Sequence, residues 1–160
     1  MYTAIIIDDE RNPREFLEKL INRNFSDKIV VLDAVESVAK GVEAIKKYST
    51  ALDIVFLDIQ MPQENGFELF KHVKEISFEV IFTTAFKDYA IEAIRFSAFD
   101  YLLKPINFLD LNSTLKRLEC KKDVNENKVK INALIDNLNT DSSKFSKIAF
   151  PTLDGFILKK

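Results

Sequence analysis

DIVFLDIQMPQENGFELF, Asp53–Phe70, is the stretch whose reading decides the fold. Ile54–Leu57 is a continuous apolar run with no polar residue in alternation, the mark of a strand covered on both faces. It ends on one aspartate, Asp58. A loop with Pro62 and Gly66 comes next, and then Phe67, Leu69, Phe70 and Val73 recur at helical spacing. Strand, loop and helix in that order are one unit of an α/β fold. An aspartate closing such a strand is either turn chemistry or part of a site.

The same unit recurs on both sides. Thr3–Ile7, Lys28–Leu32, Val80–Phe82 and Tyr101–Leu103 are further short apolar strands. Helices are expected between them. Asn12 caps the first, with Pro13 at its first position and Glu15 completing a capping box. Ser37 opens the second, Gly66–Ile76 forms the third, Asp88–Phe96 the fourth, and Asn107 caps the fifth over Leu111, Leu115 and Leu118. Strand and helix in strict alternation predict a doubly wound five-stranded parallel sheet with helices on both faces. Ligands of such sheets sit outside the carboxyl ends of the strands.

Composition narrows the function classes. The 160 residues suit about one domain, and 47% apolar with 30% charged residues is an ordinary globular mixture. One cysteine, Cys120, rules out an internal disulfide and a cysteine-rich zinc site. The start, MYTAIIIDDE, lacks a basic region and a long apolar run, so no signal peptide is expected. No apolar run approaches the ~20 residues a bilayer demands, and a cytoplasmic location without membrane contact is expected. Net charge is −2, against tight nucleic-acid binding by this stretch alone. Residues 121–160 carry eight lysines against five acids, a net +3 after a net −5 in residues 1–120, which suggests a boundary near 120.

The strand ends bring unusual company to one edge. Strand 1 delivers Asp8, Asp9 and Glu10, strand 3 Asp58, strand 4 Thr83 and Thr84, and strand 5 Lys104 and Pro105. In the doubly wound order strands 1, 3, 4 and 5 lie side by side, so these groups converge. Two like charges ~4 Å apart cost ~4 kcal/mol at an effective dielectric of about 20. Lys104 offsets one carboxylate, and a divalent cation would balance the other two. Oxygen-only ligation is magnesium-like, and such sites usually serve a phosphate. Each residue alone has a plainer reading as turn chemistry; the convergence of four strand ends does not. His72, the one histidine, falls mid-helix and reads as a surface residue.

IIIDDE, DIVFLDIQMPQENGFEL, VIFTTAF and DYLLKPI together resemble the response-regulator receiver domain of two-component signalling, over about residues 2–120. The resemblance implies the flavodoxin-like strand order 2-1-3-4-5. It implies that Asp58 accepts a phosphoryl group from a sensor histidine kinase. Asp9 would hold Mg2+ directly, with Asp8 as a second or water-mediated ligand, Asp58 itself, and the backbone carbonyl of Gln60. Lys104 would bond a phosphoryl oxygen, and Thr84 would be the switch hydroxyl whose movement Tyr101 tracks. The Lys104–Pro105 bond would be cis. A protein of this kind is a self-phosphorylating and self-dephosphorylating switch rather than a turnover enzyme.

The remainder reads differently. Residues 121–145 form a partly helical linker in which Val129, Ile131, Leu134, Ile135 and Leu138 have helical spacing, and a homodimer through this or another face is an expectation. KIAFPTLDGFILKK, 147–160, carries a hairpin signal at Leu153-Asp154-Gly155. It resembles the opening of the β-rich DNA-binding domain of LytTR-class regulators, so residues 146–160 are expected to be its truncated start. Promoter DNA would be bound only through the full output domain. The alternative is a stand-alone receiver that relays phosphate or acts by docking. A magnesium-dependent phosphatase would place a second aspartate where Gln60 stands, and a flavin carrier would want a phosphate loop where Asp8-Asp9-Glu10 stands.

Overall fold

The computed structural model describes residues 1–86, 98–138, 149–152 and 155–158, with side chains described as far as 123 within them. The helix expected over Asp88–Phe96 lies outside the described residues. By contacts the chain falls into two compact units, Met1–Lys116 and Arg117–Lys160.

The first unit is the five-stranded sheet, β1 (Tyr2–Ile7), β2 (Ile29–Val35), β3 (Ile54–Asp58), β4 (Glu79–Thr84) and β5 (Asp100–Leu103), in the order β2-β1-β3-β4-β5 and parallel throughout. Every residue of β3 is buried, as its unbroken apolar run requires of a central strand covered on both faces. Alternation sorts the side chains. Ile5, Ile7, Val55, Leu57, Val80 and Phe82 join one core with Val38, Val42 and Ile45 of α2 (Val38–Tyr48). Ile6, Phe56 and Ile81 are equally buried at the intervening positions. Phe67 and Phe70 pack on Phe82 at 4.9 and 6.1 Å between ring centres.

The caps explain where helices begin. Ser37 Oγ accepts from the Lys40 amide at 3.2 Å, and Asn107 Oδ1 accepts from the Asp110 amide at 2.9 Å, as expected of both residues. Asn12 does not cap α1. That helix runs Arg11–Asn24 from Glu10, which makes no side-chain cap. Pro13 sits inside the first turn, where amides have no helical partner to lose. Glu15 pairs with Arg11 at 2.6 Å instead of closing a capping box. The third helix is also shorter than expected: a 3-10 turn at Gly66–Glu68, then α3 at Leu69–His72, with Val73 already extended. Leu69 is buried and Val73 still packs on the core, whereas Lys74, Glu75 and Ile76 are exposed, so nothing beyond Val73 is packed to hold a further turn.

Asn107 leads into α4 (Phe108–Leu138), whose Leu111, Thr114 and Leu115 are fully buried. The helix continues without a break through Leu138, so the stretch after 120 extends it. In the second unit β6 (Ala149–Thr152) and β7 (Gly155–Leu158) pair antiparallel, with Thr152 opposite Gly155. This is the hairpin that the Asp154-Gly155 signal predicts. No described helix is long and apolar enough to cross a membrane.

Candidate functional site

Parallel strands all end on one edge, so β1, β3, β4 and β5 present the residues at their carboxyl ends to a shared cleft. Asp58, the last residue of β3, is 2% exposed. Asp8 and Asp9 come directly after β1, and Lys104 directly after β5. Carboxylate oxygens of Asp8, Asp9 and Asp58 lie within 4.8 Å of one another. The Lys104 ammonium bridges two of the acids, at 2.7 Å from Asp8 Oδ2 and 3.2 Å from Asp58 Oδ2. The Lys104–Pro105 peptide is cis.

The remaining lone pairs show how the acids are held. Asp8 Oδ1 accepts from the Glu10 amide at 3.0 Å and Asp58 Oδ1 from the Gln60 amide at 3.3 Å. Asp9 Oδ1 is buried and, among the described residues, is the one such side-chain atom without a hydrogen-bond partner. A buried carboxylate oxygen without a donor is costly unless something positive meets it. Lys104 touches the other two acids. An all-oxygen cluster with one orphaned oxygen and more negative than positive charge fits a hard divalent cation such as Mg2+.

The electrostatics agree. Burial pushes the Asp58 carboxyl up, the Lys104 charge pulls it down, and Asp8 pushes it up again, leaving it at about 7. Burial works against the Lys104 ammonium, but its hydrogen bond to Asp8 and the charges of Asp58 and Asp8 prevail and raise its pKa.

The two threonines ending β4 divide. Thr83 lies opposite Asp58 and lines a cavity of about 510 Å³ together with Asp8, Lys104, Ala85 and the apolar Phe16 and Pro105. Thr84 is fully buried, pairs with Leu103, and its Oγ1 accepts from the Phe86 amide at 3.2 Å. The Tyr101 hydroxyl, half-exposed on β5, donates to the Phe86 carbonyl. Thr84 and Tyr101 therefore meet at one residue, Phe86. Gln60 stands just past Asp58 and is exposed. His72 is exposed and 3.7 Å from Glu64, away from the cluster.

Two residues of the site were not legible as such. Gly66 approaches the Asp58 backbone so closely that a Cβ there would sit 2.1 Å from the Asp58 carbonyl oxygen, while its amide donates to the Ile59 carbonyl at 2.8 Å. Asn-Gly reads as turn chemistry, and only the folded chain shows what the turn presses against. Arg14 reads as a helix residue, yet its Nη1 reaches back to the carbonyl oxygens of Asp8 and, at 3.5 Å, Asp9.

Comparison with known proteins meets this geometry. The family model described as the response regulator receiver domain matches residues 4–116. An uncharacterized response regulatory protein of Vibrio cholerae is 42% identical over 119 residues, which are 74% of this chain and 48% of that protein. The sensory transduction protein LytT of Bacillus anthracis is 28% identical over 160 residues, 99% of this chain and 62% of that protein. Among solved structures, the response regulator protein TrrA of Thermotoga maritima, described in complex with Mg2+ and BeF, is 30% identical with a TM-score of 0.59, covering 74% of this chain and 99% of that one. The chain spans about half the length of the response regulatory proteins it matches. With the sheet order, the acid cluster and the matched span in agreement, this chain belongs to the response regulator receiver family of two-component systems.

Proposed function

We propose that the chain is a Mg2+-dependent phosphoryl-accepting switch with Asp58 as the acceptor. The observation that carries this reading is the buried Asp58 carboxylate, held 3.2 Å from Lys104 beside Asp8 and the orphaned oxygen of Asp9. Asp9, Asp8, Asp58 and the Gln60 carbonyl would hold the cation. Its contribution is to offset negative charge on the phosphoryl oxygens.

The residues of the chain account for the rest. An Asp58 carboxylate oxygen attacks phosphorus while the donor's P–N bond breaks, and the electron pair stays on the departing imidazole nitrogen of a phosphohistidine. The product is an acyl phosphate on Asp58. Lys104 is placed to donate to a phosphoryl oxygen, and β3, fully buried, holds the nucleophile in position. Such transfer is mainly positioning and charge neutralisation, so no separate general acid is needed. The phosphoryl group raises the charge on residue 58 towards −2 and adds strong acceptors. Thr84 would answer by turning its hydroxyl from the Phe86 amide to the new oxygens, and the Tyr101 hydroxyl, bonded to the same residue, would move with it. The chain so described is modified in place rather than turning over substrate.

The partner implied by receiver membership is a histidine kinase or another phosphodonor. The output we infer is transcriptional. Residues 1–120 would be the receiver, 121–145 a partly helical linker and 146–160 the opening of a β-rich LytTR-type DNA-binding domain. The β6–β7 hairpin and the alignment to LytT along nearly the whole chain support this assignment. Incubation with acetyl phosphate and Mg2+, with intact mass measured afterwards, tests the reading. One phosphoryl adduct, lost in chelator, is expected; an unmodified chain under both conditions would overturn it.

A further inference from the structure

We propose that Arg14 is a positioning residue for the cation site: its guanidinium grips the backbone that carries Asp8 and Asp9 and so aims the two carboxylates. The inference rests on the proposed Mg2+ site. Arg14 lies in the first turns of α1, and its amide makes an early helical bond to the Glu10 carbonyl. Its side chain turns back along the chain. Nη1 donates to the Asp8 carbonyl oxygen and lies 3.5 Å from that of Asp9.

The place of that grip matters. Asp8 is the residue at which β1 leaves the sheet, and its amide still bonds Val35 of β2 at 3.0 Å. Its carbonyl and that of Asp9 fall in the turn before α1, beyond the ladder. The Asp8 carbonyl and the Asp9 Cα belong to one planar peptide unit, so holding that carbonyl fixes where the Asp9 Cα sits and narrows the positions its carboxylate can reach. Asp58 and Asp8 are steadied directly by Lys104 and by backbone amides. Asp9 has a buried oxygen without a partner. The hold that Arg14 exerts on its peptide is therefore a main constraint on the acid that most needs the cation. Partners one step removed from the ligands typically change metal affinity by about 10–100-fold.

Charge and position predict opposite signs. Removing a cationic side chain near an acidic cluster makes the cluster more negative, so simple electrostatics predicts tighter Mg2+ binding by Arg14→Ala. A positioning role predicts weaker binding. Calorimetric titration of Mg2+ into the metal-free chain, compared for the unaltered protein, Arg14→Ala, Arg14→Lys and Arg11→Ala, separates them. Arg11 is an exposed cation of the same helix turn that pairs with Glu15, so its removal reports charge alone. Arg14→Ala should bind Mg2+ about tenfold or more weakly. Arg14→Lys, which keeps the charge but is one bond shorter and cannot place a donor where Nη1 stands, should recover part of the loss. Arg11→Ala should bind equally or more tightly. Unfolding of each chain in chelator is measured alongside, so that loss of fold is seen separately. Equal or tighter binding by Arg14→Ala would overturn the positioning role while leaving the cation site intact. Absence of Mg2+ binding by the unaltered protein would overturn the cation reading itself, and the role of Arg14 with it.

Discussion

β3 and β5 each deliver one member of the site, and they are built in opposite ways. β3 is central, flanked by β1 and β4, and buried at every residue. β5 lies at the sheet edge, pairs among the described residues with β4 alone, and has one buried residue of its four, Leu102. Asp58 therefore stands on a fully buried central strand, while Tyr101 lies on, and Lys104 directly after, an edge strand that is mostly unburied. An acceptor gains from being fixed, because reacting atoms must be aligned. A reporter gains from being able to move between two arrangements. The difference between the strands suggests how one small site both captures a group and announces it.

The largest effect expected is on β3 itself. Asp58→Asn keeps the shape and removes the nucleophile, so adduct formation under acetyl phosphate and Mg2+ should be lost altogether in intact mass measurements. Phe56→Ala, on the same strand and fully buried, should cost about 3–5 kcal/mol in urea unfolding. Gly66→Ala, by driving a Cβ against the Asp58 carbonyl, should cost about 1–3 kcal/mol and slow adduct formation as well. Tyr101→Phe, on β5, removes one half-exposed hydroxyl. It should cost about 1 kcal/mol or less and leave adduct yield unchanged, while reducing the change in amide exchange that phosphorylation produces at Phe86. A stability loss for Tyr101→Phe as large as for Phe56→Ala would erase the contrast between the strands.

pH sharpens the same contrast, since it acts on the β3 carboxylate. Asp58 keeps its proton up to about pH 7. A proton and a cation compete for it, so Mg2+ affinity should fall about tenfold per unit as pH drops below 7 and level off above. Stability in chelator runs the other way. The folded carboxyl holds its proton to about 7 and the unfolded one releases it near 3.8, so this contribution is whole at acid pH and lost as pH rises through 7. Thermal unfolding in chelator at about pH 5.5 and 8, repeated with Mg2+, should show the cation stabilising chiefly at the higher pH.

Much of this was legible in the sequence because the signals are local or stem from one period. Unbroken runs such as Ile54–Leu57 name central strands, alternation with helices names the winding, and the winding brings Asp8, Asp9, Asp58 and Lys104 to one edge. What was not legible depends on tertiary contact. α3 stops at His72: Val73 keeps the helical spacing and packs on the core, but from extended backbone, and Lys74, Glu75 and Ile76 after it are exposed. α1 starts at Arg11 because Asp8 and not Asn12 organises the turn before it. Gly66 and Arg14 carry ordinary local signals, and their importance lies in the distant backbone they press on or grip.

The most direct test of the central claim locates the phosphoryl group. Borohydride reduces an acyl phosphate to an alcohol, so an adduct on Asp58 becomes homoserine at that position, readable by peptide mass spectrometry. The account predicts homoserine at residue 58 alone, dependent on Mg2+. Homoserine at Asp8 or Asp9, or an adduct that borohydride leaves untouched, would contradict it.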